Sequence, residues 1–212
     1  MSYSTIEDDD AEQLAACLRR GGVAVFPTET VYGICCDPDD EDAAQRLYKL
    51  KGRPARRACA VMWFALEPAL DELEHELVGA EERALRALLP GPVTVLLPNR
   101  AGRFAAACRT DLTTLGVRVP ELPDAFAALA RVERPAMQTS ANMSGEPDAR
   151  TLDAVPRAIR EGADVVLDGG ELGGTPSTVI DLRDYATSRR WHLLRVGAMP
   201  GEEAHARLDA LA

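Results

Sequence analysis

The amino-acid sequence predicts an α/β fold built on a mixed sheet, and three observations support this. Patterns typical of helices and of strands alternate along the 212 residues, as in α/β proteins. The composition is 46% apolar and 27% charged, which is typical of a globular chain and excludes a disordered one. The last strand patterns follow one another without helical crossovers, so we expect both parallel and antiparallel pairing. The length suits one domain over residues 1–212, since single domains reach about 250 residues before they split.

Elements of the N-terminal half are predicted from apolar spacing and from Asp, Gly and Pro at their ends. A helix is expected over residues 8–20, because Asp residues can cap its start and Gly21-Gly22 stops it. Residues 23–26 are a short apolar run that Pro27 ends, which predicts a buried strand. The other elements expected here are a helix from Asp39 or Asp40 to Gly52, a strand over 59–65, a helix over 79–89 and a strand over 93–97.

The C-terminal half continues the same alternation. Strands are expected over 115–119 and 135–139, with a helix over about 122–131 between them. A helix over 151–161 contains Pro156, which should kink it or end its first part. The last elements expected are strands over 164–167, 177–182 and 191–196 and a short helix near 202–211. The order of the strands in the sheet is not predicted.

Charge and cysteine content disfavour several classes of function. The net charge of −10 disfavours broad contact with nucleic acid. No apolar run approaches the 18 residues of a membrane helix, and the N-terminus lacks the basic and apolar parts of a secretory signal. We therefore expect a cytoplasmic protein without membrane contact. The five cysteines form no C-x-x-C pair and no zinc-ligand spacing, so we expect buried, reduced thiols and no protein-bound metal.

Polar residues follow the first predicted strand in place of the usual nucleotide motifs. The sequence has neither a P-loop nor the Gly-rich dinucleotide fingerprint. Instead, Pro27-Thr28-Glu29-Thr30 places two hydroxyls and a carboxylate at the C-terminal end of the strand, where open α/β sheets bind ligands. The alternative is a capping turn in which Thr28 and Thr30 satisfy backbone groups.

A basic segment over residues 49–57 stands out in this acidic chain, because five of its nine residues are cations. A glycine and a proline end the preceding helix and hold Arg53 on a bend, so we expect Lys51 and Arg53 to be exposed to a cavity. A lysine point charge beside an arginine fork suits a polyphosphate. The alternative is a solvated helix C-terminus, which the helix dipole favours.

Two further polar segments and two arginines complete the candidates. Ser140 and Asn142 project in similar directions if their strand continues, and a hydroxyl beside an amide can bind a small polar ligand. A glycine-rich stretch precedes Ser177, and its glycines let the backbone approach a ligand. Arg118 and Arg195 each lie within an apolar strand, so we expect an anionic ligand or buried carboxylates beside them.

In this order, these segments resemble the YrdC/YciO family of threonylcarbamoyl-adenylate synthases. The resemblance covers about residues 12–199, and its most specific parts are the K-x-R motif at 51–53 and the S-x-N motif at 140–142. It implies a single twisted α/β domain with a deep, positively lined cavity and no additional C-terminal domain. The matching segments are 22–33, 51–54, 89–94, 117–120, 140–145, 176–179 and 194–198.

The family's reaction joins L-threonine, bicarbonate and ATP into threonylcarbamoyl-AMP and pyrophosphate, and the product serves the modification of adenosine 37 in tRNAs. The resemblance therefore implies an ATP-dependent nucleotidyltransferase, with Mg²⁺ accompanying ATP and the tRNA threonylcarbamoyl-transfer machinery downstream. By this resemblance, the catalytic residues are Lys51, Arg53, Ser140 and Asn142. ATP would be held by Lys51, Arg53, Arg57, Thr114, Ser140, Asn142 and Arg195, and L-threonine by Thr30, Arg118 and Ser177.

Three places depart from the family's pattern, namely Met62, Ala58-Cys59 and Cys35-Cys36, and we interpret the last two as packing variation. Two other functions stay open. Met62 stands where several relatives carry a histidine near the threonine, which leaves the acceptor amino acid undecided. One alternative is therefore a paralogue with another carbamoyl acceptor. The other is a non-catalytic module that binds double-stranded RNA or tRNA, which the net charge of −10 disfavours because duplex binding needs phosphate neutralisation.

Overall fold

The computed structural model describes residues 2–211, and strands alternate with helices along this range. The strands are β1 (Ser2–Tyr3), β2 (Ala24–Phe26), β3 (Gly33–Cys36), β4 (Ala60–Met62), β5 (Val93–Pro98), β6 (Thr114–Arg118), β7 (Ala136–Ser140), β8 (Val165–Val166), β9 (Gly170–Glu171), β10 (Thr178–Asp181) and β11 (His192–Arg195). The α-helices are α1 (Asp8–Arg19), α2 (Glu41–Lys51), α3 (Leu66–Leu73), α4 (Gly79–Leu88), α5 (Ala105–Cys108), α6 (Arg157–Gly162), α7 (Tyr185–Ser188) and α8 (Gly201–Asp209). Two 3₁₀ segments cover Asp124–Arg131 and Leu152–Ala154.

Nine of these strands form one mixed sheet, in the order β11-β10-β5-β6-β4-β7-β3-β2-β8. Three neighbouring pairs are parallel, namely β2 with β8, β4 with β6 and β5 with β10. The other five pairs in the sheet are antiparallel. The predicted mixed α/β fold is therefore confirmed. Strands β1 and β9 pair with each other outside this sheet.

Local signals set the ends of α2, the helix that borders the site. Asp40 caps its start, because the Asp40 carboxylate accepts a hydrogen bond of 2.9 Å from the Ala43 N–H. Gly52 ends the helix with a φ of 56°, a left-handed conformation that glycine adopts without strain. The chain therefore turns sharply after Lys51 and brings Arg53 beside the sheet.

The structure differs from the sequence prediction mainly in its short elements. Strand β3 was not predicted, because its four residues are all buried and show no alternation of polar and apolar side chains. Helices α3, α5 and α7 and strands β1 and β9 also lie outside the predicted elements. The predicted strand over 59–65 forms only in β4, and the predicted helix over 122–131 is a 3₁₀ helix. Pro156 divides the predicted helix over 151–161 into a 3₁₀ segment and α6.

The buried apolar side chains form one cluster that links the sheet to the helices around it. All five cysteines belong to this cluster and are unpaired, as the sequence predicts. Among residues 2–211, no helix has both the length and the apolar character needed to cross a membrane.

Candidate functional site

A cavity of about 480 Å³ lies over one face of the nine-stranded sheet. Its floor follows the two-residue period of the strands, since Thr114, Gly116 and Arg118 of β6 all line it. The other lining residues are Val31, Gly33, Arg53, Ala58, Cys59, Ala60, Thr94, Leu96, Asp111, Gln138, Thr139, Ser140, Asp148, Pro176, Ser177, Val179, Arg183 and Arg195.

The cavity extends across the face of the sheet and is not confined to the carboxyl ends of the strands. Five of the eight pairings in the sheet are antiparallel, so the carboxyl ends of the strands lie on both edges. Along β6, Thr114 and Arg118 are four residues apart, which corresponds to about 13 Å. We call these two regions the Thr114 end and the Arg118 end.

Positive charge dominates the cavity, although the chain carries a net charge of −10. Four arginines line the cavity against two carboxylates, so the lining favours an anionic ligand. The charged lining residues are Arg53, Arg118, Arg183, Arg195, Asp111 and Asp148.

A buried ion pair occupies the Arg118 end. The Arg118 side chain is 4% exposed, and its Nη2 donates to the Glu29 carboxylate at 3.0 Å. The same Nη2 donates to Thr30 Oγ1 at 2.7 Å. A buried carboxylate beside Arg118, one of the two outcomes expected from the sequence, is therefore present. Burial raises the pKa of Glu29, and the guanidinium of Arg118 opposes this rise.

The two threonines beside Glu29 have different tasks. Thr28 accepts hydrogen bonds from the Thr30 and Val31 N–H groups and donates to the Val31 carbonyl, so it acts as the capping residue of a turn. Thr30 Oγ1 accepts the hydrogen bond from Arg118 Nη2 and lies 2.8 Å from the Thr28 hydroxyl. The capping interpretation is therefore confirmed for Thr28, and the ligand-binding interpretation of this segment stays a prediction. Thr30 itself is buried and does not line the cavity.

Ser177 lies at the same end and contacts residues of two strands, β5 and β11. Its hydroxyl is 2.9 Å from the Thr94 hydroxyl of β5. Nη2 of Arg195 donates to the Ser177 carbonyl at 2.8 Å and contacts its hydroxyl at 3.2 Å. Arg195 lines the cavity, and partial desolvation of its guanidinium there lowers its pKa. Met62, in contrast, is fully buried in β4 and does not line the cavity.

Lys51 is buried, which corrects the expectation that its side chain is exposed to the cavity. It is only 1% exposed, and its Nζ donates to the Asn142 carbonyl at 2.7 Å, to Asn142 Oδ1 at 3.0 Å and to the Ser140 carbonyl. Burial lowers the pKa of Lys51 from its usual 10.5 to about 8. The ammonium therefore fixes the loop after β7, because three backbone and side-chain oxygens there need a donor.

Asn142 belongs to the same network. Its Oδ1 accepts a hydrogen bond of 2.6 Å from Ser140 Oγ, and its Nδ2 donates to the Glu146 carbonyl. Ser140 lines the cavity, but Asn142 does not. The K-x-R and S-x-N motifs thus meet in space, with Lys51 and Asn142 holding Ser140 at the cavity wall.

Arg53 and Arg57 separate in the structure. Arg53 lines the cavity, and its Nη2 donates to the Ala58 carbonyl at 2.6 Å. Arg57 is exposed and does not line the cavity. Tyr48 fixes the backbone here, since its hydroxyl donates to the Arg57 carbonyl at 2.5 Å.

Several residues that line the cavity could not be found from the sequence, some of them at the Thr114 end. Arg183 lines the cavity there, and its Nη1 donates to Thr114 Oγ1 at 3.1 Å. Asp181 holds the Arg183 guanidinium with two hydrogen bonds of 2.6 and 2.9 Å. Asp111 and Asp148 also line the cavity from loops. No sequence motif marks these residues. The predicted strand over 177–182 ends next to Arg183, which is the one local signal near any of them.

The fold and the cavity define the class of protein as an α/β protein with a cationic cavity built on the face of a mixed sheet. Comparison with known proteins gives the family. A family model described as "Telomere recombination" (Sua5_yciO_yrdC) matches residues 16–197. The chain therefore belongs to the Sua5/YciO/YrdC family.

Curated relatives carry one name. The threonylcarbamoyl-AMP synthase of Xanthomonas campestris pv. campestris (strain B100) is 37% identical over 179 residues, which cover 82% of this chain and 94% of that protein. The threonylcarbamoyl-AMP synthase of Pyrococcus abyssi is 34% identical and covers 93% of this chain, whereas this chain covers only 57% of it.

A solved structure supports the same relationship. The crystal structure of P. abyssi Sua5 complexed with L-threonine has a TM-score of 0.81 and 32% identity to this chain. The match covers 96% of this chain and 58% of that protein. The fold of this chain is thus also that of a solved structure.

Proposed function

We propose that this chain is an L-threonylcarbamoyl-AMP synthase, which joins L-threonine, bicarbonate and ATP and releases pyrophosphate and water. The observation that carries the proposal is a single cavity lined by six of the residues that the family resemblance assigns to ATP and L-threonine. Arg118 and Ser177 lie at one end, and Arg53, Ser140 and Thr114 line the rest. Relatives at 30–38% identity are named for this activity.

ATP fits the cationic part of the cavity. Arg53, Arg195 and the Ser140 hydroxyl would contact the phosphates, because charge-assisted donors bind phosphate oxygens strongly. Thr114 would contact the nucleoside side. Lys51 and Asn142 act behind them as positioning residues, since both are committed to the loop that carries Ser140. We place Arg57 at the entrance, where its exposed charge attracts the nucleotide.

Mg²⁺ fits the site as a companion of ATP. Among residues 2–211, no group of three or more His, Cys, Asp or Glu side chains could hold a metal ion. The lining offers the Asp148 carboxylate and the Ser140 hydroxyl, and such sparse oxygen ligands suit Mg²⁺ that is bound mainly through phosphates and water. When bound, the ion would neutralise charge on the triphosphate.

L-Threonine fits the Arg118 end. Arg118 lines the cavity, and its guanidinium would bind the substrate carboxylate. The hydroxyls of Ser177 and Thr94, 2.9 Å apart, provide partners for a small polar ligand. A carbamate formed there from the amine and bicarbonate would face the phosphates held by Arg53 and Arg195.

This chemistry depends on orientation and charge neutralisation. The carbamate oxygen attacks the α-phosphorus of ATP, the bond to the β-phosphate breaks, and pyrophosphate leaves. The chain supplies no covalent nucleophile in this scheme, since positioning and electrostatic stabilisation account for most of phosphoryl-transfer catalysis. We further propose that the product passes to the tRNA threonylcarbamoyl-transfer machinery in the cytoplasm, which is compatible with five unpaired thiols.

Pyrophosphate release tests the proposal. The purified chain is incubated with MgATP, and L-threonine and bicarbonate are omitted in turn. Release should require both together. Equal release without an amino acid would show a simple ATPase and contradict the proposal. Replacement of L-threonine by other amino acids decides the acceptor, which the sequence leaves open.

A further inference from the structure

Arg183 lines the cavity at the Thr114 end, although the proposed contacts to phosphate and to L-threonine do not involve it. We propose that Arg183 binds the base of the nucleotide, with the flat face of its guanidinium group stacked on the ring. This inference rests on the proposed function and deepens it, since it places the base within the cavity. It also adds a substrate-binding residue that no sequence motif marks.

The reaction determines which end of the cavity the base occupies. The carbamate attacks the α-phosphorus, so this atom has to lie next to the amino acid at the Arg118 end. The ribose and the base are attached to the same phosphate and have to extend away from the amino acid. The cavity continues along β6 for about 13 Å to Thr114, where Arg183 Nη1 donates to the Thr114 hydroxyl at 3.1 Å. The base therefore reaches Arg183.

The charges at the Thr114 end suit an uncharged group better than a triphosphate. Asp181 neutralises Arg183 through hydrogen bonds of 2.6 and 2.9 Å, and these bonds raise the pKa of Arg183. The Asp111 carboxylate also lines the cavity and is close enough to raise this pKa further. In contrast, the hydrogen bonds of Arg53 and Arg195 go to backbone carbonyls and one hydroxyl, which are uncharged, so the charge of both side chains is left for the phosphates.

The hydrogen bonds of Arg183 leave the faces of its guanidinium, and not its edges, for a ligand. All three nitrogens already donate, Nε and Nη2 to Asp181 and Nη1 to Thr114. These acceptors belong to β10 and β6, which lie on either side of β5, so the guanidinium is held from both sides. A planar cation whose edges are occupied binds an aromatic ring through its face, by stacking and cation–π contacts.

Apolar surface beside Arg183 provides for the rest of the ring. Leu96 of β5 is the register partner of both Asp181 in β10 and Gly116 in β6. Residues directly opposite each other share one face of a sheet, and Leu96 and Gly116 both line the cavity. The floor next to the Arg183 guanidinium is therefore apolar, which suits the face of a heteroaromatic base and offers nothing to a phosphate.

Calorimetry with two ligands tests the inference. The ligands are ATP and ribose 5-triphosphate, which lacks the base, each with Mg²⁺. Arg183→Ala should weaken ATP binding by about three- to thirtyfold, as expected for loss of one stacking contact, and leave ribose 5-triphosphate within about twofold. Arg53→Ala should weaken both ligands, because it removes a contact to phosphate.

Two further variants control for folding and for net charge. Arg183→Lys keeps a cation beside Asp181 but removes the flat guanidinium, so it decides the test if Arg183→Ala does not fold. It should weaken ATP by at least about threefold and leave ribose 5-triphosphate within about twofold. Arg190→Ala is the matched control and should change neither affinity, because Arg190 is exposed, contacts Ser188 and does not line the cavity.

The outcomes separate this inference from the proposed function. Equal losses for ATP and ribose 5-triphosphate in the Arg183 variants would show a contact to phosphate or ribose, and unchanged ATP affinity would show no contact. Either result overturns the inference alone if the wild type releases pyrophosphate only with L-threonine and bicarbonate together. A wild type that binds no ATP and releases no pyrophosphate overturns both.

Discussion

Substitution of Lys51 by methionine should destabilise the protein as well as its ATP site. The ammonium of Lys51 donates to three oxygens of the loop over Ser140 and Asn142. Methionine keeps the length and apolar stem of the side chain but removes all three donors. The Ser140 and Asn142 carbonyls would then lose their partner at a buried position.

Two effects of opposite sign determine the size of the change. Each buried carbonyl left without a donor costs about 1–3 kcal/mol, so the loss of the partner of the Ser140 and Asn142 carbonyls costs about 2–6 kcal/mol. Removal of the charge acts in the opposite direction, because burial disfavours the ammonium and lowers the pKa of Lys51 from 10.5 to about 8. We expect the unpaired carbonyls to dominate, with a net loss of about 1–4 kcal/mol for Lys51→Met.

The pH dependence gives a second readout with a defined sign. Because the folded-state pKa of Lys51 is lowered, the unfolded chain binds more protons at this residue between pH 8 and 10.5. The stability of the wild type relative to Lys51→Met should therefore rise with pH in this window, by at most about 1.4 kcal/mol per unit. Cysteines and tyrosines that titrate in the same range contribute equally to both proteins, so their contributions cancel when the two stabilities are subtracted.

Urea unfolding of both proteins from pH 7 to 10.5 provides the measurement. Parallel stability curves, or an unchanged midpoint for Lys51→Met at pH 7, would refute the assignment of Lys51 as the residue that fixes the Ser140 loop. An unchanged ATP affinity in a folded Lys51→Met protein would refute its role in positioning Ser140.

Three other substitutions or treatments have expected outcomes. Arg53→Ala should keep the fold and weaken ATP binding by about ten- to a hundredfold in a nucleotide titration. Arg20→Ala removes an exposed arginine outside the cavity and should leave ATP affinity unchanged, so equal losses for the two variants would indicate bulk electrostatics. Arg100→Ala should lower the free energy of unfolding in urea by about 3–5 kcal/mol, because the fully buried Glu81 would lose its cation. Arg86→Ala breaks an exposed ion pair and should lower it by about 1 kcal/mol or less, so similar values for the two variants would contradict this expectation. A thiol reagent should label the native protein slowly and the unfolded protein at all five cysteines, since all five thiols are buried and burial raises the pKa of four of them. Rapid labelling of the native protein would contradict this expectation.

The sequence by itself determined the elements whose signals are local. The helix that became α2 could be placed because an aspartate caps its start and Gly52 adopts the left-handed conformation that ends it. The K-x-R and S-x-N motifs and the two strand arginines were also found, since each is a pattern within a few residues. Of the predicted substrate residues, Arg53, Thr114, Ser140, Arg118, Ser177 and Arg195 line the cavity.

Only the tertiary structure decided which of these side chains are buried and what they contact. Lys51 is buried because the loop after β7, some ninety residues away, folds over it. Glu29 meets Arg118 because the loop after β2 crosses the face of the sheet, and Arg183 reaches Thr114 because β10 pairs with β5. These contacts depend on the order and direction of strands, which pair residues that are distant in sequence and leave no local signal along the chain.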